Sequence, residues 1–271
     1  MLKIGWFSTG RDKAARDLLT VINDSIRQGE IDSEIELVFC NREPGESEES
    51  DLFIALVEDY RIPLVCFSYQ KFKSSRGMRN PRPGEPLPMW RLDYDREVMK
   101  RLEAYHPDLC VLAGYMLING EDMCQKYDII NLHPAAPGGP KGMWQEVIWQ
   151  LIGDRVHETG VMMHLVTPEL DMGPPVTYCT FSIRGEPFDR FWQQIEDQSV
   201  IDVKESQGEN NPLFKLIREY GVAREFPLIT STIKAFSLGK VRITADKQVV
   251  DIDGRQIKGY DLTSEINEAL K

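Results

Sequence analysis

The sequence of 271 residues predicts an α/β fold: a mostly parallel central sheet with helices on both faces, closed by a small C-terminal β-hairpin. One observation carries the sheet. Short apolar runs alternate with segments of helical periodicity through the first half of the chain, which is the pattern of βαβ units. Strand–helix alternation of this kind builds a mostly parallel sheet covered on both faces.

Taken in order, residues 3–8 (KIGWFS) read as a buried strand. Residues 12–27 follow as a helix, with Ala15, Leu18, Leu19, Ile22 and Ile26 at helical spacing. Residues 35–40 (IELVFC) give a second strand, 51–60 a second helix and 64–67 a third strand. A helix over about 94–105 leads to strands at 109–113 and 128–133, then to a helix over 144–152. Residues 160–166 (GVMMHLV) are a further strand, and 197–211 read as a polar connection between helices. After Gly239, the run KVRITADKQVVDIDGRQI predicts two short strands joined by a turn. No repeat is evident, so the expectation is one domain over 1–271: a core of about 1–195, then C-terminal helices and hairpin over about 196–271.

One stretch breaks the alternation. Residues 69–91 contain Lys71, Lys73, Arg76, Arg79, Arg82 and Arg91 with Pro81, Pro83, Pro86 and Pro88, against the single acid Glu85. A long basic, proline-rich insertion is either a substrate-facing lid or a solvated excursion. The working expectation is that it supplies cations, Arg76, Arg79 and Arg82 above all, to an anionic substrate.

The formal net charge is −11, which argues against nucleic acid as a partner. Five scattered cysteines lack the close pairs of a zinc site, so no metal is expected. An odd count without a cleavable leader fits a reducing, cytoplasmic setting. No apolar run approaches the roughly 20 residues that cross a bilayer, so no membrane partner is expected.

The densest chemical signal is DIINLHPAAPGGPKG at 128–142. Asn131 and His133 are two apart, so one strand delivers both to the same side. Pro134 then ends the strand, because it has no N–H for the ladder. An amide and an imidazole at a strand end can donate hydrogen bonds to an oxygen gaining negative charge. The second signal is GVMMHLVTPELDMGPP at 160–175, whose turn places Asp171 at a loop apex. A carboxylate beside His133 would favour the imidazolium. His164, between Met163 and Leu165, reads as a core residue supporting the site.

NLHPAAPGGPKG resembles the Asn-x-His-Pro loop of the folate-dependent formyltransferases, and HLVTPELDMGP is similar to that family's second block, H-x-V-x-x-E-L-D-x-G-P. VLAGYM at 111–116 is like the strand and loop that hold the pteridine ring there, and the closing GKVRI…DGRQI resembles the hairpin of the purine-pathway branch. The resemblance implies a Rossmann-like formyltransferase fold with 10-formyltetrahydrofolate as formyl donor. It implies Asn131, His133 and Asp171 as catalytic residues, with His164 in support. The folate would lie along Met116, Leu117, Ile118, Pro137, Gly138, Gly139 and Gly142. The acceptor would be a small amine, phosphoribosylglycinamide first, with its phosphate near Gly10, Arg11, Asp12 and Lys13.

Three positions depart from the family pattern. The first turn reads Ser8-Thr9-Gly10-Arg11-Asp12-Lys13 where the purine branch has S-G-x-G-S-N. Val222 stands where a glutamate meets the acceptor amine, and Leu117 replaces an arginine. Another amine acceptor, such as an amino sugar or methionyl-tRNA, therefore stays open, as do formyl-folate hydrolysis and a folate binder without turnover. The tRNA option lacks its usual β-barrel appendage. A homodimer is the assembly left open.

Overall fold

The computed structural model describes residues 1–77 and 87–270. The chain begins with β1 (Leu2–Ser8), α1 (Lys13–Arg27), β2 (Ser33–Cys40), α2 (Glu48–Asp59), β3 (Leu64–Cys66) and α3 (Tyr69–Ser75). It continues with α4 (Met89–Arg101), β4 (Leu109–Leu112), α5 (Glu121–Lys126), β5 (Ile129–His133), α6 (Trp144–Gly153) and β6 (Glu158–Leu165). Then come β7 (Pro175–Ser182), α7 (Asp189–Gln194), α8 (Val200–Gln207), a 3₁₀ turn (Gly208–Asn210) and α9 (Pro212–Ser237). β8 (Val241–Ile243), β9 (Val249–Asp251), β10 (Tyr260–Asp261) and α10 (Thr263–Ala269) complete the chain.

The central sheet runs β10-β7-β6-β5-β4-β1-β2-β3. Pairing is parallel from β3 through β5 and between β7 and β10, and antiparallel at β5/β6 and β6/β7. Alternation sorts the strand side chains to two faces. Ile4, Trp6, Val38 and Val111 pack with Leu19 and Ile22 of α1, Phe53 of α2, and Leu228 and Ile233 of α9. Phe7, Phe39, Cys110 and Leu112 pack on the other face with Phe72 of α3 and Trp90, Tyr94 and Val98 of α4. The mostly parallel sheet, covered on both faces, and the β8/β9 hairpin are as the sequence predicts.

Residues 196–270 are woven into this core. α9 crosses the first face, and β10 adds a strand to the main sheet beside β7. The polar stretch 197–211 is not a plain connection, because it contains α8 and the 3₁₀ turn. Val203 is the anchor that makes a mostly polar segment helical, buried at 1% exposure against the Trp149–Phe214 cluster.

The basic stretch 69–91 is likewise no continuous loop at its described ends. Ser68 caps α3 by accepting from the Lys71 amide, and α4 begins five residues earlier than periodicity suggested. Lys71 pairs with Glu43 at 2.8 Å, and Arg76 lies 3.7 Å above the Phe72 ring. Arg79, Arg82, Pro81, Pro83, Glu85 and Pro86 lie outside the described residues.

Arg91 is the clearest departure from that expectation. It is 3% exposed and donates to Asp95 Oδ1 at 2.6 Å and to the Ile118 carbonyl at 2.7 Å. Asp95 Oδ2 accepts from the Gly120 amide at 2.7 Å. Burial pushes the Asp95 carboxyl up, against the pull of Arg91. The pair therefore pins loop 116–120, just past β4, to α4. Removing one member of a buried pair costs about 3–5 kcal/mol, because the other is left as an uncompensated charge. Arg91→Met should lower unfolding stability by that order in urea titration, and Arg91→Met with Asp95→Leu should recover part of it.

Candidate active site

Strand order reverses beside β1, with β4 on one side and β2 on the other, and sheets of this kind place ligands beyond the strand ends at such a point. Three predicted segments meet there. The first is the turn after β1, where Gly10 has φ +60 and a Cβ would lie 2.8 Å from Phe53. Glycine fits because it alone has neither the clash nor the left-handed penalty. Thr9 ties this turn to the loop after β4: its amide donates to the Gly114 carbonyl at 3.2 Å, and its Oγ1 accepts from the Met116 amide at 3.0 Å. The candidate acceptor and donor segments thus share a direct hydrogen bond that the sequence did not announce.

The four first-turn residues serve different ends. Asp12 caps α1 by accepting from the Ala15 amide at 3.1 Å. Arg11 pairs with Asp12 at 3.2 Å and Lys13 with Asp17 at 2.6 Å, both on exposed surface where such pairs are weak. In the loop after β4, the Met116 side chain is exposed, Leu117 packs toward the α4 cluster, and the Ile118 carbonyl is taken by Arg91.

At the end of β5 the catalytic candidates come together. β5 and β6 are antiparallel, with Asn131 opposite His164. Asn131 Nδ2 lies 3.3 Å from His164 Nε2, and His164 Nδ1 lies 3.1 Å from the Leu165 carbonyl. One tautomer satisfies both: Nδ1–H donates to the carbonyl, leaving Nε2 to accept from the amide. Burial, at 3% exposure, holds the His164 imidazole below its ordinary range and favours that neutral form.

Asp171 sits between the two imidazoles. Its carboxylate is 3.8 Å from His133 Nδ1 and 3.6 Å from His164 Nε2, and its side chain is 8% exposed. Its φ of 53 is left-handed, a conformation an aspartate tolerates better than most residues. The Gly142 amide approaches Oδ2 at 3.4 Å. His133 Nε2 donates to the Pro140 carbonyl at 2.8 Å, so loop 137–142 is held from both the imidazole and the carboxylate. Within it, Gly138 lies in the turn that Gly139 closes by donating to the Ala136 carbonyl, just after Pro137. The predicted site residues His133, Asp171 and Gly142 therefore form one contact set, which Asn131 joins through His164. His164, expected in support, touches two of its members directly. Val222 falls half-buried on α9, an apolar side chain as the sequence reading had it.

Gly173 allows the Asp171 turn to close. A Cβ there would fall 1.6 Å from the Leu165 carbonyl oxygen, a backbone atom that cannot rotate away. Gly173→Ala should cost about 1–3 kcal/mol in urea unfolding, the usual range for overpacking, and should displace the Asp171 carboxylate. His164 sets a pH window. The folded state binds its proton less readily than the unfolded chain, so its contribution is complete above the ordinary value of 6.5 and is lost as pH falls through the lower folded value. Urea midpoints measured from about pH 7.5 to 5 should therefore drop, and His164→Gln should flatten that slope.

Among the described residues no His, Cys, Asp and Glu cluster could hold a metal, and no helix is long and apolar enough to cross a membrane. The sequence pattern of the Formyl transferase family matches residues 13–187. Phosphoribosylglycinamide formyltransferase of Saccharomyces cerevisiae is 29% identical over 125 residues, 43% of this chain and 58% of that protein. The chain thus spans little more than half the length of that relative. The protein of the same name from Dictyostelium discoideum is 29% identical over 200 residues, covering 68% of this chain and 89% of its own. In fold, the structure of phosphoribosylglycinamide formyltransferase from Coxiella burnetii superposes with a TM-score of 0.65 at 20% identity, over 96% of this chain and 98% of that one. The family pattern takes in β2 through β7 and every member of the Asn131–His133–His164–Asp171 set, and the chain belongs to the Formyl transferase family.

Proposed function

We propose that this protein transfers a formyl group from 10-formyltetrahydrofolate to the amine of phosphoribosylglycinamide. The observation that carries the reading is the convergence of Asn131, His133, His164 and Asp171 at the end of β5. The names of the curated relatives support the acceptor.

Attack of an amine on a formyl carbon creates a tetrahedral centre whose oxygen gains negative charge, and groups aimed at that oxygen lower the barrier most. Asn131 donates one amide hydrogen to His164, which fixes the plane of the amide and leaves the second hydrogen for the substrate oxygen. His133 has Nδ1 toward Asp171 and Nε2 on the Pro140 carbonyl. When protonated, its Nδ1–H is held by the carboxylate, and exchange of the Pro140 carbonyl for the substrate oxygen turns Nε2–H into the second donor. Asp171 balances the imidazolium and accepts the proton shed by the attacking amine, directly or through water, and that proton goes to the folate nitrogen as its bond to the formyl carbon breaks and tetrahydrofolate leaves. The formyl-folate lies along Met116, Leu117, Ile118 and the loop of Pro137, Gly138, Gly139 and Gly142. The acceptor lies toward Gly10, Arg11, Asp12 and Lys13, its amine near Asp171.

The test is deformylation of the donor followed by absorbance, with and without phosphoribosylglycinamide. Acceptor-dependent deformylation is the expected result; deformylation that ignores the amine would make the protein a hydrolase and overturn the reading. His133→Ala should lower turnover by about 10²–10³-fold, the range for loss of one oxyanion donor, with donor affinity retained.

A further inference from the structure

The two segments that build the site, 128–142 and 160–175, contain a single Lys or Arg, Lys141. Its place is set by the site itself. The peptide before it presents the Pro140 carbonyl to His133, and the peptide after it presents the Gly142 amide to Asp171. Backbone contacts on both sides therefore hold Lys141 at the site mouth whatever its side chain does.

That side chain is exposed, and its ammonium contacts the Met172 thioether, next to Asp171. Among the described residues no carboxylate pairs with it. Basic residues of the first turn and of the 69–91 stretch are already committed: Arg11 to Asp12, Lys13 to Asp17, Lys71 to Glu43 and Arg91 to Asp95. A thioether is a weak acceptor for an ammonium and yields readily to an oxyanion. Exposed Met143 and Met172 give the same mouth apolar surface, across which a charge is screened less than in open water.

We propose that Lys141 is a specificity-determining residue that binds an anionic oxygen group of a substrate, a carboxylate on the donor or a phosphate on the acceptor. This rests on the formyl-transfer reading of the same site. The ammonium acts in binding and leaves the reacting atoms to Asn131, His133 and Asp171. Because backbone holds loop 137–142, replacing the side chain removes the charge and keeps the loop.

The experiment is steady-state kinetics of wild type, Lys141→Met and Lys141→Arg, varying donor and acceptor separately at low and high salt. Lys141→Met is expected to raise one KM about tenfold with the loss carried by KM rather than kcat, and Lys141→Arg to recover most of it. A change in the donor KM identifies the carboxylate, and a change in the acceptor KM the phosphate. The affected wild-type KM should climb with salt, and that of Lys141→Met should not. Unchanged values of both KM, or a loss confined to kcat, would overturn the proposal. Should wild type fail to use phosphoribosylglycinamide, the functional reading falls separately. Equilibrium binding of tetrahydrofolate and of inorganic phosphate then decides for Lys141: one of them must bind wild type more tightly than Lys141→Met, and equal binding of both overturns it.

Discussion

The candidate site is organised around one carboxylate. Asp171 has an imidazole on each side and a backbone amide at Oδ2, so β5, β6, loop 137–142 and the turn after β6 all meet at two oxygen atoms. Burial disfavours a charge on the His164 imidazole. His164 is kept neutral with its lone pair on Asn131, which leaves Asp171 to serve His133. A left-handed aspartate and a glycine two residues later make this possible, since any Cβ at Gly173 would strike the Leu165 carbonyl. Electrostatics and turn geometry at this point are the same requirement seen from two sides.

A second constraint operates just past β4. The Arg91–Asp95 pair is taken out of water, with Arg91 Nη2 on the Ile118 carbonyl and Asp95 Oδ2 on the Gly120 amide, while Arg91 Nε is buried without a hydrogen-bond partner among the described residues. Buried charges are tolerated when they are matched and also satisfied by hydrogen bonds. Here the satisfaction comes from the backbone of a loop that would otherwise have little to hold it. Loop 116–120 is thus fixed by ionic anchoring at one end and by Thr9 at the other.

How much of this was legible in the sequence differs by element. The strands that build the sheet centre were readable because they are continuous apolar runs, and Asn131 and His133 because a two-residue spacing on a strand admits one geometry. Arg91 was misread as part of the exposed basic stretch. It closes a stretch in which prolines and other cations stand out, and its partner Asp95 shows only as an i,i+4 pair on a helix that begins earlier than the apolar pattern. The β10 pairing was invisible for a different reason: two residues carry no periodicity, and only the finished edge of β7 selects them. The bond between Thr9 and Met116 joins positions 107 apart, and no local pattern encodes such a contact.

The hairpin of β8 and β9 projects Lys247 back to the beginning of β5, where its ammonium meets the Tyr127 carbonyl at 2.9 Å and Asp128 at 2.6 Å. The strand that ends in Asn131 and His133 is therefore clamped at its beginning by a residue about 120 positions later. In kinetic terms this is a contact of very high order, whose loop-closure entropy must be met before any reward is gained. During synthesis β5 emerges long before its clamp does. Its sheet neighbours β4 and β6 set the strand's register, and the Lys247 clamp can close on it only after the hairpin has been made.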